Sequence, residues 1–317
     1  MLSTLDEPQP SRYCLEADFG GQGVDPAIVV NYAPSGYGKS LDALYSAPTG
    51  LFLTPAPGGL VAARSMLGVT VREERVQSIP HACTVLQKAG KVDALVLDDF
   101  SILAERSYLA LDTSGNNKNP WEAWMKLRKE VLNLRELCIA GGTTLVLTAH
   151  EKPPDNSNGT FMPGGPKMPS KHLTTALPHI ATLVLRGVKD SFIQPPEWIG
   201  RYNCDPSDTR WITKDRYCVV GKQCPMNLRE ILVRAKEVGH SVAVPPRAPG
   251  LEWLDEAAEA VAENMANGGT SQDSASKLTA HAKGVDPRHL RWAWRDGLAR
   301  HTLRIQGHSE LFGMFVS

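Results

Sequence analysis

The chain has 317 residues, with 34 Lys and Arg against 34 Asp and Glu, so its formal net charge is zero. That excludes a polycation coating nucleic acid or anionic lipid with its whole surface, though not a local basic patch. Hydrophobic residues make up 42% and charged residues 21%, a globular composition that argues against a mostly disordered chain and allows one large domain or two ordinary ones.

No apolar run approaches the ~20 residues of a membrane helix. The opening MLSTLDEPQPSRYCLEAD has no apolar signal core, so export is not expected. Residues 1–26 read as a polar entry segment. A short apolar run, Ala27–Tyr32, follows as a buried strand, and Lys39–Tyr45 as a helix. Further strands are expected at 51–53, 92–98, 143–148 and 180–186. Between the third and fourth, Asn119-Pro120 supplies a helix start. Trp121, Trp124, Leu127, Arg128, Val131, Leu134 and Cys138 then recur at helical spacing up to Gly141-Gly142. Strands alternating with helices predict an α/β fold with a mainly parallel sheet. Residues 199–220 read instead as a β-hairpin around Asp205-Pro206-Ser207-Asp208, continuing into Tyr217–Val220.

Pro245, Pro246, Pro249 and Gly250 mark a linker, with a boundary near 247. The expected organisation is an N-terminal extension over 1–26, a core over 27–247 and a helical appendage over 248–317. In the appendage, LEWLDEAAEAVAENMA carries five acids and no base, while residues 277–304 carry seven Lys and Arg against two Asp. Arg288, Arg291, Arg295 and Arg300 form a basic amphipathic helix able to bind DNA, an acidic partner or the chain's own acidic segment. The six cysteines, at 14, 83, 138, 204, 218 and 224, include no CxxC pair. Neither a zinc site nor a disulfide framework is expected, and free thiols suit a reducing, cytoplasmic setting.

The strongest chemical signal is Ala33-Pro-Ser-Gly-Tyr-Gly-Lys-Ser40, a phosphate-loop pattern with alanine at its first position. Small residues let backbone N–H groups curl around phosphates, Lys39 reaches the β/γ oxygens, and the Ser40 hydroxyl holds Mg²⁺. All eight positions, Ala33, Pro34, Ser35, Gly36, Tyr37, Gly38, Lys39 and Ser40, are candidate ATP contacts, and the helix that follows adds its positive end. Leu95-Val-Leu-Asp98-Asp99 is an apolar strand ending in acids. Set beside the phosphate-loop strand, it would place Asp98 on the Mg²⁺ shell and Asp99 near the attacking water, unless Asp99 simply caps a helix. TTLVLT ends in Ala149-His150-Glu151, where His150 can sense the γ-phosphate and move the loop 151–171. Lys152, Lys167 and Lys171 with Phe161 give that loop cations and a stacking face suited to single-stranded DNA. Lys214 and Arg216 could reach ATP on a neighbouring subunit.

Taken in order, APSGYGKS, LVLDD, LVLTAHE and ITKDR resemble a RecA-type ATPase core over residues 27–220, and are most similar to compact phage ATPases of single-strand annealing. The resemblance implies that His150 is the γ-phosphate sensor, that 107–119 and 151–171 are DNA-facing loops, and that Lys214 and Arg216 are interface cations. It implies an ATP-hydrolysing homo-oligomer acting on single-stranded DNA in phage recombination or replication, in the host cytoplasm. RecA relatives carry a catalytic glutamate after the second core strand. LFLTPAPGG has none, so Asp99 or Glu105 substitutes, or hydrolysis is slow. The competing expectation is a phage structural or assembly protein in which ATP is a conformational ligand and the tail docks on other proteins.

Overall fold

Every residue of Ile28–Ala33 is buried, as a strand covered by helices on both faces must be. The computed structural model describes residues 25–56, 58–112, 120–156, 159–189, 200–205, 207–280 and 285–316. The entry segment before residue 25, Cys14, Asn119 and most of 107–119 lie outside that set.

In chain order, the first elements are β1 (Ile28–Ala33), α1 (Lys39–Ser46), β2 (Leu51–Thr54), α2 (Val61–Leu67), β3 (Arg72–Arg75), α3 (Ile79–Ala89) and β4 (Ala94–Leu97). Then come α4 (Phe100–Asp112), α5 (Pro120–Gly141), β5 (Thr144–Lys152), β6 (Gly165–Pro166), α6 (Lys171–Ile180) and β7 (Leu183–Val188). The last are β8 (Arg201–Asn203), β9 (Lys214–Asp215), β10 (Gln223–Pro225), α7 (Leu228–Glu237), α8 (Trp253–Ala266), α9 (Ser271–Ala280) and α10 (Pro287–Val316). Among the described residues no helix is long and apolar enough to cross a membrane.

The sheet order is β10-β8-β7-β1-β5-β4-β2-β3. The run from β7 to β3 is parallel throughout, while β8 and β10 extend it antiparallel. Side chains alternate across each strand, which sorts the core in two. Val29, Phe52, Val96, Val146 and Leu185 pack under α1, α2, α7, α8 and α10. Val30, Leu53, Leu97, Leu147 and Val184 pack under α3, α4, α5 and α6. The result is a three-layer α/β architecture, with loops at the strands' carboxyl ends free to hold a ligand.

Three expectations need correction. The hairpin over 199–220 does not form: β8 pairs with β7 and β10, and β9 pairs with β7. Residues 210–212 bond Gly164 instead of β8, and the Asp215 carboxylate, which accepts the amides of Tyr217, Val219 and Val220, turns the chain that follows. The part of 107–119 that is described, up to Asp112, is the end of α4 and not a loop. In α5, Trp124, Leu127, Val131, Leu134 and Cys138 are buried as expected, but Trp121 is 53% exposed.

The C-terminal helices pack into the same buried cluster as α1. Trp292 of α10 stacks on Tyr45 of α1, ring centroids 4.2 Å apart. At Gly297, a Cβ would stand 2.4 Å from Val261, so only glycine lets α10 close on α8. Cys83, Cys138, Cys204, Cys218 and Cys224 are unbridged.

Candidate functional site

β1 delivers the chain to a tight loop at the sheet's carboxyl edge, and α1 opens at Lys39. Gly36 and Gly38 adopt φ of 78° and 87°, left-handed values that a Cβ resists. The turns aim the loop at the positive end of α1. Lys39 folds back on this loop, its Nζ donating to the carbonyls of Ala33 and Pro34 at 3.0 Å each. It is 8% exposed, so it belongs to the loop's interior more than a phosphate-seeking lysine in an open site would. Burial lowers its pKa, and the carboxylates of Asp99, Asp98 and Glu151 act in the opposite direction.

Asp98 follows the last residue of β4, but β4 does not lie beside β1. β5 runs between them, which corrects the expected adjacency. Thr148 of β5 fills the gap: its hydroxyl hydrogen-bonds Asp98 Oδ1, and the Ser40 hydroxyl acts on the same carboxylate, favouring its charged form. Burial pushes the Asp98 carboxyl up, and these two hydroxyls oppose the shift. Ser40 is thus a neighbour of Asp98, and Thr148, which the phosphate-loop reading does not name, holds the same carboxylate.

Asp99 has both oxygens engaged. Oδ1 accepts the Ser101 amide at 2.7 Å, capping the start of α4, and Oδ2 lies 2.6 Å from His150 Nε2. The capping role and the acid–base contact thus coexist. His150 sits in register with Ala33, and its amide donates to Ser101 Oγ at 2.9 Å. Glu105, the other candidate acid, is exposed further along α4.

Next to His150, Glu151 accepts Arg186 Nε at 2.8 Å. The Arg186 guanidinium lies over the Trp211 ring, 3.3 Å from its centroid. Trp211 in turn bridges Gly164. Neither Arg186 nor Thr148 was among the sequence candidates. The available signal was a polar residue at the carboxyl end of an otherwise apolar strand: Thr148 in TTLVLT and Arg186 in IATLVLR.

The segment 151–171 is not an open loop. Glu151 and Lys152 pair antiparallel with Pro166 and Gly165, and Asp155 bridges Met162, so a hairpin projects from the carboxyl end of β5. Its base is tied to His150, because the Lys167 amide donates to the His150 carbonyl at 2.7 Å. Lys152, Phe161, Lys167 and Lys171 are all exposed.

Lys214 and Arg216 lie elsewhere. β9 pairs with Leu183 and Val184 at the start of β7, the sheet edge opposite the phosphate loop. Lys214 Nζ donates to the carbonyls of Pro178 and Ala181, at 2.5 and 2.9 Å. Its charge is engaged in closing α6 onto the sheet, and the Arg216 amide bonds Thr182 O. Of the tail arginines, Arg288 and Arg291 are exposed, while three others pair inward. Arg295 pairs with Asp42, Arg300 with Glu230 and Glu259, and Arg304 with Glu237 and Glu259.

Among the described residues no group of three or more His, Cys, Asp or Glu forms a metal cage. Mg²⁺ needs none where phosphate oxygens and waters complete its shell, and the Ser40–Asp98 pair is a hard-oxygen donor set that fits it. No protein-family model matches the chain, and no curated protein matches its sequence.

Proposed function

We propose that the chain is a RecA-like ATPase that binds Mg·ATP on the loop 33–40 and acts as a homo-oligomer on single-stranded DNA in phage recombination or replication. The observation that carries this reading is the convergence of Ser40 and Thr148 on Asp98, beside a glycine loop that opens a helix at Lys39. Lys39 would exchange the carbonyls of Ala33 and Pro34 for phosphate oxygens. Ser40 and Asp98 would hold Mg²⁺, which supplies charge neutralisation at the phosphates. Asp99, oriented by the Ser101 amide and by His150, would polarise the attacking water and receive its proton. His150 would carry the state of the γ-phosphate to the hairpin through its carbonyl contact with Lys167.

The second core strand ends in Thr54 with no acid of its own, and on this reading Asp99, which touches His150, takes the role of base in preference to the exposed Glu105. The assembly-protein reading needs a free docking tail. The inward pairing of Arg295, Arg300 and Arg304 removes those three cations from such a face, and leaves it the exposed Arg288 and Arg291. The test is the ATP hydrolysis rate with and without single-stranded DNA, with Lys39→Ala as control. Stimulation by the strand is expected. Absence of hydrolysis in the presence of tight ATP binding would favour the conformational-ligand reading.

A further inference from the structure

Trp121 departs from the buried stripe of its own helix. Its ring stays 53% exposed while Trp124, one turn on, is 8% exposed. The two rings lie 4.7 Å apart. His172, at the start of α6, closes the group with its ring 5.1 Å from each tryptophan. Trp121 is therefore an exposed ring braced from behind by two others, a rigid surface of the kind on which flat ligands stack.

Its surroundings are basic and lie at the carboxyl edge of the sheet. Trp121, Met125 and Lys129 fall at i, i+4 and i+8 on α5, all exposed, so they share one stripe. Arg128 lies over the Trp124 ring at 5.8 Å. Lys171 adjoins His172, and Lys167, four residues earlier, is tied to His150 through its amide. Glu122 is the acid of the first turn, and Lys126 neutralises it at 2.9 Å. Exposed Phe161 belongs to the same end of the sheet through the hairpin on β5.

We propose that Trp121, braced by Trp124 and His172, is a base-stacking platform for single-stranded DNA, with Lys129, Lys167 and Lys171 taking the flanking phosphates. Aromatic faces stack any base, and interleaved cations follow the backbone, so the surface grips a strand without reading its sequence. The proposal rests on the DNA reading above and gives it a stacking surface on α5 that shares Lys167 and Lys171 with the segment 151–171. The stacked rings stand on α5 and α6, so the stacking contact is present in either nucleotide state, whereas Lys167 answers to His150.

The test is binding of a labelled oligothymidylate by fluorescence anisotropy. Trp121→Ala is expected to weaken binding about 10- to 100-fold, by the stacking free energy of one base. Trp121→Phe should recover most of it, and the salt slope should not change. Iodouracil-substituted strand photo-crosslinked to the wild-type protein needs no substitution at all, and its adduct is expected on the peptide containing Trp121. If wild type and Trp121→Ala bind equally, or if adducts form only elsewhere, the platform is overturned while the DNA reading stands. If the wild-type protein binds no single strand, with or without ATP, both fall.

Discussion

His150 Nε2 lies 2.6 Å from Asp99 Oδ2, joining the carboxyl ends of two neighbouring parallel strands. The contact couples the candidate base to the candidate sensor. Asp99→Asn is expected to lower turnover ~10²–10⁴-fold, the range of a general base, with ATP affinity little changed. His150→Ala should lower it as well. The double variant should be no slower than Asp99→Asn alone, because groups that act as one unit are not additive. Additive losses in steady-state assays would separate the two roles.

Lys39→Ala should weaken ATP binding roughly 10- to 100-fold, the loss of a hydrogen bond to a charged group. Thermal stability should also fall, by about 1–3 kcal/mol, since the buried Ala33 carbonyl loses its donor. Unchanged ATP affinity in a calorimetric titration would remove the phosphate-loop assignment.

Hairpin cations and stacking faces should separate in salt titrations. Replacing Lys152, Lys167 and Lys171 together should flatten the salt dependence of DNA binding by roughly two units, at about −0.7 per phosphate neutralised. Phe161→Ala should instead cost ~1–3 kcal/mol with the slope intact. ATP should tighten DNA binding, and by linkage DNA should tighten ATP by the same factor. Equal DNA affinity with and without ATP would break the proposed link through His150.

Glu130 gives a pH signature unrelated to the site. Burial raises its pKa from 4.5 to about 7, and its Oε2 is buried without a hydrogen-bond partner. The folded state therefore holds a proton that the unfolded chain releases near the ordinary value. Its contribution is full below that ordinary value and is lost as pH rises toward the folded one. With discounting for its partial exposure, Glu130→Gln should gain about 1 kcal/mol at about pH 8 relative to wild type, and nothing at about pH 4. Denaturant melts at the two pH values check the sign.

Arg247 is the keystone of a buried ion network. Its guanidinium pairs with Asp296 and Asp255, at 2.6 and 2.8 Å, while Asp255 also takes Arg229. Arg247→Ala should destabilise the chain by about 3–5 kcal/mol, because it leaves Asp296 buried without its cation. A change below about 1 kcal/mol in urea unfolding would show that Asn227, which also bonds Asp296, suffices.

The apolar strands were legible because each is a short run bounded by turn residues, and their alternation with helices gave the α/β class. β3 was not, since Arg72-Glu-Glu-Arg75 lies at the sheet edge, where Arg64 and Glu73 pair and no apolar run is needed. Strand order was also hidden. Nothing in LVLDD says that β5 comes between it and the phosphate loop, and so Thr148 went unnamed. Lys214 misled because spacing fixes the side of a strand but not the end of the sheet. Arg295 and Arg300 were readable as a basic stripe, yet their partners Asp42 and Glu230 lie in distant parts of the chain.

That distance has a consequence during synthesis. Asp42, three residues past the phosphate-loop lysine, is fully buried and depends on Arg295, 253 positions later. Tyr45 waits for Asp296 across 251 positions. At ~5–20 residues per second, the helix that presents Lys39 leaves the ribosome roughly 13–50 s before the cation that neutralises its buried carboxylate. In that interval Tyr202 and the Leu228 amide can hold Asp42 only after most of the sheet has emerged. A ribosome-bound chain stopped short of α10 should therefore be protease-sensitive at α1, and the nucleotide loop should gain its rigidity last although it is made first.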